Sequence, residues 1–277
     1  MIIALKVYIN NIFLQNGENK NIIFKKYFSF SGFMLINSIF TWIYLMGYRY
    51  IAGDELGYQD LGIYMGCAAI AVGIVSGFEQ VVTGMYLPTF YKNVEKSSDA
   101  WLIYSKKIIS SSIPVCLFIV INSELISQYV LPAEYQKHFV FIQYCAVAET
   151  LRVILSTFGY KLQGDNKTYL MIIPSILLAL ISNLIIFNNI TEYGAKIIPL
   201  GMISSGILVL MLYILIIGKF RIEIIKILSK FILISVIVTM VIVFSIQSLF
   251  FAGVYKDIFT IMFSAIATGS IFIYALR

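Results

Sequence analysis

The sequence predicts an all-α fold, a polytopic transmembrane helix bundle of about eight spans with both termini cytoplasmic. Three observations predict it. Apolar stretches recur along nearly the whole chain, and most are long enough to cross about 30 Å of hydrocarbon. Of the residues, 60% are hydrophobic and 12% charged, which excludes both a soluble domain and a disordered chain. The polar connections alternate in basic content. One set holds Lys6, Lys20, Lys25, Lys26, Lys92, Lys96, Lys106, Lys107, Lys161, Lys167, Lys219, Arg221, Lys226, Lys230 and Arg277. The other set holds only Lys137, Lys196 and Lys256, beside Asp54, Glu55, Asp60, Glu124, Glu134, Glu192 and Asp257. By the positive-inside rule the first set is cytoplasmic.

In chain order, residues 1–27 read as a cytoplasmic or interfacial segment. The run Met1 to Leu14 is too short to span, is interrupted by Lys6 and Asn10, and precedes no small-residue cleavage site. Spans are expected at 28–51, 62–87, 108–123, 138–160, 169–187 and 197–217, which together form a six-helix bundle over 28–217. Two more are expected at 231–250 and 258–276, so that 218–277 adds an interfacial helix and two spans. The interfacial helix is Lys219 to Lys230, with Phe220, Ile224, Ile227 and Leu228 on one face and Lys219, Glu223, Lys226 and Lys230 on the other. Tyr48, Tyr50, Tyr86, Phe90, Tyr160 and Tyr213 lie near span ends, where aromatic rings anchor at headgroup level. Pro114, Pro174 and Pro199 fall inside spans, where each removes a backbone donor and is either a point of bending or accommodated by neighbouring helices.

Four charged side chains fall within the spans: Arg49, Glu79, Glu149 and Arg152. An ionised side chain at a helix centre costs about 2.5–3.5 kcal/mol on insertion scales, so each should face a cavity or a partner. Arg49 sits one turn from the outer end of its span and can reach water by snorkelling. Glu79 is too short to do so, and with Gln80, Gly73, Gly77 and Gly84 it marks a polar, closely packed surface. Glu149 and Arg152 are three residues apart and can pair on one helix face. Alternatively Arg152 faces a central water-filled cavity, where a guanidinium can hold a phosphate or diphosphate through forked hydrogen bonds. Arg49 and Arg152 are the candidate substrate-binding residues, and Glu79 and Glu149 the candidate ion-coupling or cavity residues. His138, at an outer span end, reads as structural.

Other chemistries find little support. The net charge of +6 is spread over loops that face anionic headgroups, so membrane lipid and not nucleic acid is the expected partner. Cys67, Cys116 and Cys145 fall inside spans with neither a pairing pattern nor metal-ligand spacing. There is no phosphate-binding glycine loop, zinc-protease motif or nucleophile elbow, and no long polar insertion to hold a catalytic domain. No cofactor, metal or catalytic residue is expected, and the chain is not read as an enzyme.

Within this frame, Tyr48-Arg49-Tyr50-Ile51, Gly57, Leu61-Gly62-Ile63-Tyr64 and the close at Leu87-Pro88 resemble the bacterial polysaccharide flippases, the O-antigen and capsule exporters of the superfamily that includes multidrug extruders. The turn Gly159 to Lys167 is similar to that family's cytoplasmic hairpin. The resemblance implies the carboxyl-terminal part of a two-lobe protein: a second six-helix bundle plus an extra helix pair. It implies a missing amino-terminal bundle, supplied by another chain or a longer product. It also implies that an undecaprenyl-diphosphate-linked oligosaccharide is moved across the bacterial inner membrane for surface polysaccharide synthesis, with Arg49 and Arg152 as diphosphate contacts. Alternatives are a cation-coupled drug exporter of the same superfamily, a non-transporting partner subunit, and a glycan polymerase or a companion of one.

Overall fold

A computed structural model of the protein describes residues 20–94, 99–217, 222–230, 233–234, 264–265 and 268–269. The expected spans at 231–250 and 258–276, and the segment Met1 to Leu14, lie almost wholly outside these residues. The described residues are helical throughout apart from turns. Four helical stretches, Phe30–Asn93, Ala100–Val130, Phe139–Gly164 and Thr168–Ile216, are long and apolar enough to cross a membrane.

Two of those stretches fold back on themselves. The helix Lys20–Asn93 breaks at Gly57, whose φ of 78° and ψ of 162° lie in a region that a side chain resists, giving α1 (residues 20–56) and α2 (residues 58–93). Reversal at this point brings the rings of Tyr48 and Tyr64 to 5.7 Å, edge to face. The outer loop expected at 52–61 therefore shrinks to one glycine, because Asp54, Glu55 and Asp60 continue the helices instead of leaving them. The second reversal uses the 3₁₀ turn Gly194–Lys196, with Gly194 at φ 61°, between α6 (Ile172–Tyr193) and α7 (Ile197–Ile217). A Cβ on Gly201 would meet the Ser182 carbonyl oxygen at 3.2 Å, which shows how closely α6 and α7 approach.

The remaining elements are α3 (Ala100–Val130), the short α4 (Ala133–Gln136) and α5 (Phe139–Gly164). α3 runs well past the expected 108–123 at both ends. Its terminal polar residues satisfy themselves within the helix: Ser105 donates to the Leu102 carbonyl at 3.1 Å, Ser123 to Val120 at 3.0 Å and Ser127 to Glu124 at 3.0 Å. Hydropathy undercounts such residues, which cost little once back-bonded. α5 stops in a Schellman arrangement, with Asn166 at φ 57° and amide bonds from Lys167 to Leu162 at 2.8 Å and from Asn166 to Gln163 at 3.0 Å. Pro174 and Pro199 are each the third residue of their helix, where the missing donor has no intrahelical acceptor, so neither bends a span. Only Pro114, of the three, sits mid-helix.

The turns α2–α3 and α5–α6, carrying Lys92 and Lys167, lie at one end of the bundle, as Gly164 against Phe90 and Val94 shows. Gly57, α4 and the α6–α7 turn lie at the other, called the outer end here from the charge alternation. Aromatic clusters seal both ends. At the outer end Tyr48, Tyr64, Phe141 and His138 form a chain of ring contacts of 5.6–5.7 Å. At the basic end Trp101 packs on Phe158 and donates its indole N–H to the Thr157 carbonyl at 2.8 Å. α1 is held to α6 by Asn183, whose amide donates to the Ile43 carbonyl at 3.3 Å, and by Gly47, where a Cβ would come within 2.7 Å of the Asn183 side chain. The helix at 222–230 buries Ile224 and tucks Ile227 and Leu228 against the core, leaving Glu223, Lys226 and Lys230 exposed.

Candidate functional site

Between α1, α2 and α5 the bundle is hollow. A cavity of about 520 Å³ is lined by Tyr44, Met46, Tyr48 and Arg49 of α1, by Tyr64 to Ser76 of α2, and by Cys145, Glu149 and Arg152 of α5. A second cavity of about 200 Å³ continues toward the basic end between α1, α5, α6 and α7, among Asn37, Ser156, Gln163, Ser175 and Tyr213. Tyr44 and Arg152 line both, so this pair stands as the partition between an outer and an inner chamber. Arg152 lies about 20 Å along α5 from Phe139, close to mid-bundle.

The partition is charged. One nitrogen of the Arg152 guanidinium contacts Glu79 Oε2 at 2.5 Å and Glu149 Oε1 at 2.8 Å. Ser76 donates its hydroxyl to Glu149 Oε1 at 2.8 Å, while Ser156, which donates to the Val153 carbonyl at 2.7 Å, places its hydroxyl 3.3 Å from Glu79 Oε1. The sequence left open a local Glu149–Arg152 pair or an Arg152 facing a cavity. The pair forms and Arg152 also lines the cavity, and Glu79 joins from a different helix, placing two carboxyl groups around one guanidinium. All three side chains are largely buried, where interactions between charges are weakly screened.

Arg49 is elsewhere. It is exposed at the outer rim of the larger cavity and forms no ion pair among the described residues. The two candidate arginines thus share a chamber, one at its mouth and the other at its floor. Glu149 lines the chamber directly, whereas Glu79 acts on it through Arg152 and Ser156. Sequence reasoning missed Ser76, Ser156 and Tyr44. A periodic signal existed for each: Ser76 is three residues before Glu79, Ser156 four after Arg152, and Tyr44 four before Tyr48. Among the described residues no cluster of three or more acidic, histidine and cysteine side chains is placed to hold a metal ion.

A family model described as polysaccharide biosynthesis protein matches residues 7–139, somewhat under half of the chain. The match covers α1 to α4, and with them Arg49, Tyr44, Ser76 and Glu79, and it ends where α5 begins. No curated protein and no solved structure matches. The fold defines a helical membrane protein with a charged, chambered interior. The matched region is similar to polysaccharide biosynthesis proteins.

Proposed function

We propose that this protein takes part in moving a polyprenyl-diphosphate-linked oligosaccharide across the bacterial inner membrane. The observation that carries this reading is the pair of chambers stacked along the bundle and divided at Arg152, inside a chain whose amino-terminal part is similar to polysaccharide biosynthesis proteins. A diphosphate needs forked donors in a low-dielectric space, and the chambers offer Arg49 at the mouth and Arg152 at the floor. Because Arg152 is already held by Glu79 and Glu149, an incoming anion must compete with two carboxylates. Protonation or cation capture at those carboxylates frees the guanidinium, which couples substrate binding to an ion gradient. A partner bundle, from a second chain or a longer product, would complete the translocation path.

The test is translocation of a fluorescent polyprenyl-diphosphate oligosaccharide in vesicles containing the full chain together with any bundle it requires. Arg152→Glu abolishes movement on this reading, and a wild-type rate in that variant would sink it. The excess of carboxylate at the partition also favours a second reading, a cation-coupled exporter of apolar compounds. Efflux of a lipophilic cation by cells expressing the chain, lost in Glu79→Gln, would move that reading ahead.

A further inference from the structure

Beside the mouth of the outer chamber lies a groove of about 520 Å³ that neither the chambers nor the ion cluster uses. It is lined by Trp42, Met46, Arg49, Tyr50 and Gly53 of α1, and by Asp54, Tyr58 and Leu61 around the hairpin tip. Positions 42, 46, 49, 50 and 53 follow the helical repeat, so they form one continuous stripe. Three large rings stand open along it, with Trp42 54%, Tyr50 70% and Tyr58 84% exposed. Met46 and Arg49 line the groove and the outer chamber alike, so the two spaces meet at that ridge.

Resting on the translocation reading above, we infer that this groove binds the phosphate-linked sugar of a glycolipid headgroup, received from the outer chamber across Arg49. The chemistry of the lining selects such a ligand. The Arg49 guanidinium is hydrogen-bonded to Tyr48 but has no carboxylate partner among the described residues, so its remaining N–H groups can fork onto phosphate oxygens. Open indole and phenol faces pack on the apolar C–H faces of sugar rings, and their polar edges bond hydroxyls. Asp54 offers an acceptor to sugar hydroxyls on the far side.

The protein carries its own reporter. Of its two tryptophans, Trp42 stands in the groove and Trp101 is buried at the opposite end. Full-length chain in phosphatidylcholine nanodiscs is titrated with a short-chain polyprenyl-diphosphate disaccharide, with inorganic diphosphate and with phosphatidylglycerol while tryptophan emission is followed. The glycolipid is expected to give a saturable change that disappears in Trp42→Phe and needs about tenfold more ligand in Arg49→Gln, the loss of one charged hydrogen bond. Unchanged Trp101 emission in Trp42→Phe, where it is the sole tryptophan, reports an intact fold. An equal response to phosphatidylglycerol, an equal response to inorganic diphosphate, or a glycolipid response with an unchanged midpoint in Arg49→Gln would overturn the site. Binding is read here without transport. A Trp42 response with no translocation refutes the proposed function alone, and translocation with no Trp42 response refutes the groove alone.

Discussion

The α1–α2 hairpin and α3 are both apolar enough to span a membrane, yet within the protein 28% of the hairpin's most apolar stretch is buried against 61% for α3. Apolar content in lipid does not distinguish a surface that faces hydrocarbon from one that faces protein. What differs is the use of small and polar residues. α3 buries Ser105, Ser110, Ser111, Ser112, Asn122, Ser123 and Ser127 and serves as packing. The hairpin leaves Gly73, Gly77 and Gly84 with open space where a Cβ would stand, and presents the chambers and the groove. The element that carries the candidate chemistry is the less buried one.

The largest effect expected from breaking this contrast is at the ion cluster that ties the hairpin to α5. Arg152→Gln leaves Glu79 and Glu149 facing each other without their cation, and should lower stability by about 3–5 kcal/mol, measured as unfolding in mixed micelles. Adding Glu79→Gln should restore part of that loss. Strict additivity of the two changes would show that the ion cluster does not join α2 to α5.

Next in size is a pair of glycine substitutions on the hairpin itself. Gly47→Ala pushes a methyl group to within 2.7 Å of the Asn183 side chain and should cost about 1–3 kcal/mol. Gly77→Ala meets nothing within 4 Å and should be neutral or stabilising by up to about 1 kcal/mol through helix propensity. Equal effects at the two positions would remove the distinction between the hairpin's packed and open faces. A smaller loss than at Gly47 is expected in α3, where Asn122 donates to Ser264 Oγ at 2.9 Å. Asn122→Ala should cost about 0.6 kcal/mol, the mean for hydrogen bonds between membrane helices. A loss several times larger would mean that this contact organises the end of the chain.

Much of this architecture was legible beforehand, and the failures share a cause. Six of the expected spans coincide with helices, since apolar length is a local property. The outer loop at 52–61 was misread because charge there suggested an exit from the helix, whereas only Gly57 leaves it. α3 was drawn too short because serines that bond their own helix still count as polar. Pro174 and Pro199 were placed inside spans because helix starts are poorly resolved by hydropathy, and three residues decide whether a proline bends a helix or opens it.

The sequence by itself determined the all-helical class, the charge alternation, the four intramembrane charges, and the local Glu149–Arg152 spacing. Each depends on residues within a turn or two of one another, where the helix repeat dictates geometry. Tertiary structure alone decided that Glu79, 73 residues before Arg152, completes the ion cluster, and that Tyr44 and Arg152 divide one chamber from the other. The register between two helices is set by how their side chains interlock across the interface. That depends on both surfaces at once and has no signature in either alone.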